Sequence, residues 1–191
     1  MDIFGYVILA LIVAALLFLI VIYNRLVNLK HNTTKAWSNI DVLLKQRHDE
    51  LPKLVATCKE YMKYEKDTLE KVMEARSRAA SARVAGDIGA LGAAEGALRI
   101  GLGQLFALAE DYPDLKANET FQHLEGRISG LENSIADRRE FYNESVNLNN
   151  IGIEEFPDVI VARFFNFLSF QLLEFEQTEL ADVNVGALFQ S

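Results

Sequence analysis

From Ile3 to Tyr23 no charged side chain interrupts the chain, and fifteen of these residues are Leu, Ile, Val or Phe. A helix of that length rises about 30 Å, enough to cross the hydrocarbon core of a bilayer. A cleaved signal peptide would carry a basic start, a shorter apolar run and a small-residue exit. Here Asp2 is the only early charge, and the run leaves through Tyr23, Asn24 and Arg25. The pattern predicts a retained single-pass transmembrane anchor over residues 1–23, which makes the lipid bilayer the first partner. Arg25, Lys30 and Lys35 follow the run and nothing basic precedes it. The positive-inside rule then puts the N-terminus outside and residues 24–191 in the cytoplasm, at the cell inner membrane.

Past the anchor the apolar spacing changes. Trp37, Ile40, Leu44, Arg47, Leu51, Val55, Cys58, Met62, Glu65, Leu69, Val72 and Arg76 step by alternating three and four residues. That coiled-coil-like seam predicts one long helix over about 24–84, packed lengthwise against near-antiparallel partners. Pro52 lies inside it and either kinks the helix or ends it, with a restart capped by Asp49. The unbroken seam favours a kink. Residues 87–111 predict a Gly-rich helix, in which the Gly92-x-x-x-Gly96 spacing suits close approach to a neighbouring helix. After the Tyr112-Pro113-Asp114 turn, a helix over about 118–150 starts from Asn118 as N-cap, and Gly152 and Pro157 end it. Its lower half is polar, consistent with fraying or with a polar layer against another helix or copy. The aromatic C-terminal segment, 157–191, predicts a short helix followed by an irregular wrap, or an interfacial or inter-subunit surface. The expected fold is all-α: an N-terminal transmembrane helix continuing into an elongated antiparallel helical bundle.

Charge is unevenly divided. Residues 24–84 hold 13 Lys/Arg against 8 Asp/Glu, whereas 85–191 hold 6 against 18. Solvated helix faces are the favoured reading, with attraction between the basic and acidic parts, within the fold or between copies, as the alternative; the overall charge of −8 argues against nucleic acid as a partner. The lone Cys58 suits a reducing compartment and reads as a small buried hydrophobe. His31, His48 and His123 are far apart, without a metal-binding spacing. Gly101-Leu-Gly103 lacks the third glycine, the preceding strand and the lysine of a nucleotide loop. No metal, cofactor, small-molecule substrate or catalytic residue is expected. The candidates are for packing or an interface. Trp37, Arg47, Glu65, Arg76 and Arg138 lie on helix seams, where a charge needs a partner such as an arginine of the third helix for Glu65, or a path to water. Gly92 and Gly96 are expected at a close helix contact, and Phe164, Phe165, Phe167 and Phe170 at the aromatic surface.

Several ordered blocks carry a family resemblance. Tyr23-Asn24-x-Leu26-Val27 is followed by Ala36-Trp37-Ser38-x-Ile40-Asp41-Val42-x-Leu44-Lys45-x-Arg47 and Leu51-Pro52-x-Leu54-Val55. Further on come Ala109-Glu110-x-Tyr112-Pro113-Asp114-Leu115-Lys116-Ala117-Asn118, Glu132-Asn133-x-Ile135-Ala136 and Arg139-x-x-Tyr142-Asn143. Over about residues 20–165 the chain resembles the bacterial LemA family. The resemblance implies a membrane-anchored antiparallel helical bundle, and it brings no catalytic residues. Some family members sit beside membrane metalloprotease genes. The segment after Ala162 departs from the family pattern, being Phe-rich where the family is basic and glycine-containing. The function expected is a non-catalytic membrane scaffold or assembly protein that forms a homo-oligomer. The alternatives are an adaptor or regulatory subunit of another membrane protein, such as a protease, and membrane remodelling through the Phe-rich segment.

Overall fold

A computed structural model describes residues 3–175. They form helices α1 (Ile3–Tyr61), α2 (Lys66–Ala85), α3 (Ile88–Ala109), α4 (Pro113–Lys116), α5 (Glu119–Glu154) and α6 (Asp158–Phe164). No strand occurs among the described residues, so the fold class is all-α, with a long apolar helix at the N-terminus.

The chain divides into two compact units. One is built from residues up to Arg47 together with Gly130–Leu172; the other from His48–Ser129 and the segment from Leu173. The second unit shows how the single helix expected over 24–84 is divided. α1 ends at Tyr61, a turn occupies residues 62–65, and α2 begins at Lys66. The chain then doubles back, because Arg76 Nε donates to the His48 carbonyl at 2.9 Å across 28 residues. No glycine or proline marks the turn. It is fixed by tertiary contacts, with Asn118 Nδ2 donating to Tyr61 Oη at 3.1 Å and Tyr112 Oη donating to Glu65 at 3.2 Å.

Pro52 neither ends α1 nor leaves an orphan. Proline has no N–H, so it cannot bond the carbonyl four residues earlier, which is that of His48. Arg76 donates to that same carbonyl. The half-buried arginine on the seam thus satisfies, through its Nε, the acceptor that Pro52 leaves open.

Leu51, Leu54, Val55, Cys58 and Met62 of α1 and the residue after it join Leu69, Val72, Leu98, Leu102, Leu105, Phe121 and Ile128 in one core. Each such side chain stabilises the fold by roughly 1.5–3 kcal/mol through burial. α2 and α3 are joined by a tight corner. Gly86 adopts φ +70° and its N–H bonds back to α2, while Asp87 Oδ1 accepts the Ala90 N–H at 2.9 Å. This is the left-handed C-cap that glycine takes without strain, followed at once by an N-cap. Val72 Cγ2 lies 3.3 Å from where a Cβ on Gly101 would sit, so the two helices approach closely there. α5 begins as the sequence predicts, with Asn118 Oδ1 accepting the Phe121 N–H at 3.0 Å.

Candidate functional site

The informative surface lies in the first unit. From Ile3 to Val21 every apolar side chain of α1 is exposed. At Ile22, only 4 % exposed, packing begins. The apolar stretch open to its surroundings is thus about 28 Å long, the thickness of a bilayer's hydrocarbon core. Water is a poor solvent for it. It is the one helix among the described residues long and apolar enough to cross a membrane.

α6 closes around the end of that stretch. Val161 and Ala162 pack on Ile22 and Leu26, with Leu29, Ile153 and Phe167 at the margin. The α5 backbone comes close enough at Gly152 that an added Cβ would meet Leu29 Cδ1 at 2.6 Å. Arg25 holds the corner between α5 and α6, 2.7 Å from Glu155 and 3.3 Å from Asp158. Asp158 is only 3 % exposed, and a carboxylate so buried needs that cation. Tyr23 meets the rings of Phe165 and Phe167 at centroid distances of 4.8 and 5.9 Å, and Phe164 stacks edge-on to Phe165 at 5.0 Å. Asn166, at φ 55°, turns the chain out of α6 in a conformation that asparagine tolerates. Phe167 turns inward, while Phe164 (81 % exposed), Phe165 (54 %) and Leu168 (68 %) stay outside.

The polar end of α5 does not fray: Thr33 Oγ1 of α1 donates to the Ser145 carbonyl at 3.0 Å, and the tyrosine and asparagines beside it grip the irregular segment after α6. Asn150 donates to the Phe170 carbonyl and accepts the Phe170 N–H, both at 2.9 Å, as a strand partner would. Tyr142 Oη donates to the Gln171 carbonyl at 2.9 Å, and Asn149 Nδ2 to that of Leu168 at 3.3 Å. Burial raises the Tyr142 phenol's pKa, which keeps it a donor. Trp37 packs against Tyr142 with centroids 5.4 Å apart.

The remaining candidates are dispersed. Arg47, 1 % exposed, pairs with Glu132 of α5. Glu65 meets the Tyr112 hydroxyl in place of the expected arginine. Arg138 is exposed rather than on the seam: the step of about four residues from Ile135 lands on Arg139, which is half-buried. Gly92 is crowded, but by the Glu174 backbone and not by a helix; a Cβ there would collide with the Glu174 carbonyl. Gly96 is buried in α3. Of the aromatic candidates, Phe164, Phe165 and Phe167 gather around Tyr23, and Phe170 is held by its backbone. Residues of the C-terminal segment beyond Phe175 lie outside the described residues.

The residues that sequence reasoning misses are Arg25, Asp158, Phe156, Ile160 and Leu168. Only Arg25 carries a signal of its own, and that for topology; its partner lies 133 residues away with no local cue. Among the described residues no cluster of three His, Cys, Asp or Glu could hold a metal ion. Burial pushes the Cys58 thiol up to about 12, which suppresses the thiolate. What the surface offers is apolar contact.

The model of the LemA family matches residues 36–186 of the chain. The chain belongs to the LemA family. The LemA match extends past the Phe-rich segment, beyond the range over which individual motifs are readable. Among similar proteins are the magnetosome proteins MamQ 2 and MamQ 1 of Paramagnetospirillum magneticum. Each is 26 % identical over 182 residues, covering 83 % of this chain and 64 % of its own length. The magnetosome protein MamQ of Magnetospirillum gryphiswaldense is 24 % identical over 169 residues, covering 76 % and 62 %. This LemA chain thus spans a little under two thirds of the length of these relatives. It is a helical, membrane-associated member of the family.

Proposed function

We propose that this LemA-family protein is a scaffold of the bacterial inner membrane that assembles with copies of itself. In this reading α1 crosses the bilayer, with Arg25, Lys30 and Lys35 on the cytoplasmic side, where the positive-inside rule favours them. The observation that carries self-assembly is a stripe on α5. Phe141, Leu148 and Ile151 are each at least half exposed and follow one another by seven and three residues. Exposed large apolar side chains at heptad spacing form the seam through which helices pair. A chain confined to the membrane plane meets its copies at raised effective concentration, so a narrow stripe suffices.

Native mass spectrometry of the full chain, extracted in mild detergent, tests this. Oligomers are expected for the wild type, reduced to monomers by the triple change Phe141→Glu, Leu148→Glu, Ile151→Glu. A monomeric wild type would sink the proposal. A stoichiometric membrane enzyme travelling with that monomer would favour the adaptor reading in its place.

A further inference from the structure

We infer that Phe156, Ile160, Phe164, Phe165 and Leu168 form a second membrane contact, an apolar collar seated at the boundary between headgroups and acyl chains beside the inner end of α1. The inference rests on α1 being a membrane span and adds a role for the surface next to it. All five side chains are more than half exposed, and all lie on or beside α6. α6 packs on Ile22 and Leu26, directly where the exposed apolar stretch of α1 ends. The two apolar surfaces are continuous, because Phe165 touches Tyr23, only two residues past Val21, and Phe164 touches Phe165.

That continuity selects the occupant. Whatever solvates Val21 also meets Phe165, so the phospholipid bilayer covers this face rather than a second copy. The composition agrees. A Tyr ring at the end of a span marks the interfacial level, Phe and Leu suit the apolar face of an interfacial element, and the exposed Arg163 beside them has the reach to extend to phosphates while its stem stays in the apolar zone. The carboxylates of the corner, Glu155 and Asp158, are drawn to Arg25, which reduces their repulsion of anionic headgroups. An amphipathic element of this kind sinks about 5–10 Å into the interface.

Site-directed tryptophan fluorescence tests the contact. The full chain, with Trp37→Phe to remove the native reporter, carries Phe164→Trp, Leu11→Trp or Val42→Trp in turn. Each is reconstituted in phosphatidylethanolamine/phosphatidylglycerol vesicles containing phosphatidylcholine brominated near the glycerol end of the acyl chain or, in parallel samples, near its methyl end. At Phe164 we expect blue-shifted emission that loses most of its intensity to the brominated lipid and little to aqueous iodide. Val42, an exposed apolar position on α1 beyond the collar, is expected to behave in the opposite way. Red emission quenched by iodide at Phe164 would overturn the contact. Blue emission untouched by the bromines would overturn it too, by showing that protein covers the face. Strong lipid quenching at Leu11 alongside either result confines the failure to the collar; weak quenching at all depths at Leu11 removes the span and the collar together.

Discussion

If Arg76 is needed because Pro52 leaves the His48 carbonyl without its helix donor, removing the proline should make the arginine dispensable. Arg76→Leu keeps an apolar stem but takes away the donor that sits 2.9 Å from that carbonyl. An orphaned, partly buried acceptor costs about 1–3 kcal/mol. Taking about 2 kcal/mol, a chain of this size should lose roughly 4–8 °C in Tm. In a Pro52→Ala background the new N–H reaches the His48 carbonyl through the ordinary helix bond, and the helix itself gains from alanine's propensity. Arg76→Leu should then cost less than about 1 kcal/mol, leaving a coupling of about 1–2 kcal/mol between positions that are not neighbours in sequence. Thermal unfolding of the four proteins in one detergent, followed by far-ultraviolet circular dichroism, completes the cycle. Equal losses in both backgrounds would show that Arg76 serves packing alone and would refute the account of how α1 passes through Pro52.

Other expectations follow from the same packing. Gly92→Ala should destabilise despite alanine's helix propensity, because its Cβ meets the Glu174 carbonyl, whereas Gly103→Ala and Gly126→Ala, with open space around them, should each gain up to about 1 kcal/mol; denaturant midpoints read the sign. Glu132→Ala removes an ion partner of the buried Arg47 and should cost about 3 kcal/mol, while Arg47→Met combined with Glu132→Leu should recover most of that loss in a thermal melt. Cys58 should resist alkylation at about pH 8 in the folded protein and react readily in denaturant, since the folded thiol titrates near 12 against 9.0 when free. The sign for stability follows: its raised pKa contributes nothing adverse below pH 9.0, and stability falls as pH rises from there toward about 12.

Much of the helical pattern is readable in sequence because it depends on periodicity. Ile40, Leu44, Leu51, Val55, Cys58, Met62, Leu69 and Val72 step along one seam, and all are buried. The turn at residues 62–65 is hidden from that pattern because it contains no breaker. The seam phase runs straight through it, and long-range bonds from Tyr112 and Asn118 hold it. At Pro52 the unbroken seam phase favours continuation and α1 does run through, but no local rule can see the arginine arriving from α2. For the candidate site, the Phe-rich composition announces an apolar surface. Which phenylalanines face inward depends on the αL turn at Asn166 and on the asparagine grip on Phe170, both set by tertiary contact. The pairing of Arg25 with Asp158 is beyond any spacing argument.

In the proposed scaffold, copies of this chain meet through the outer face of α5 while anchored in a membrane. Cysteine trapping tests this most directly: Leu148→Cys in a Cys58→Ser background, oxidised in native membranes and resolved without reductant. The account predicts a covalent homodimer that reduction reverses. A monomer whose introduced thiol remains open to a membrane-impermeant alkylating reagent would contradict it, because the stripe would then face water alone.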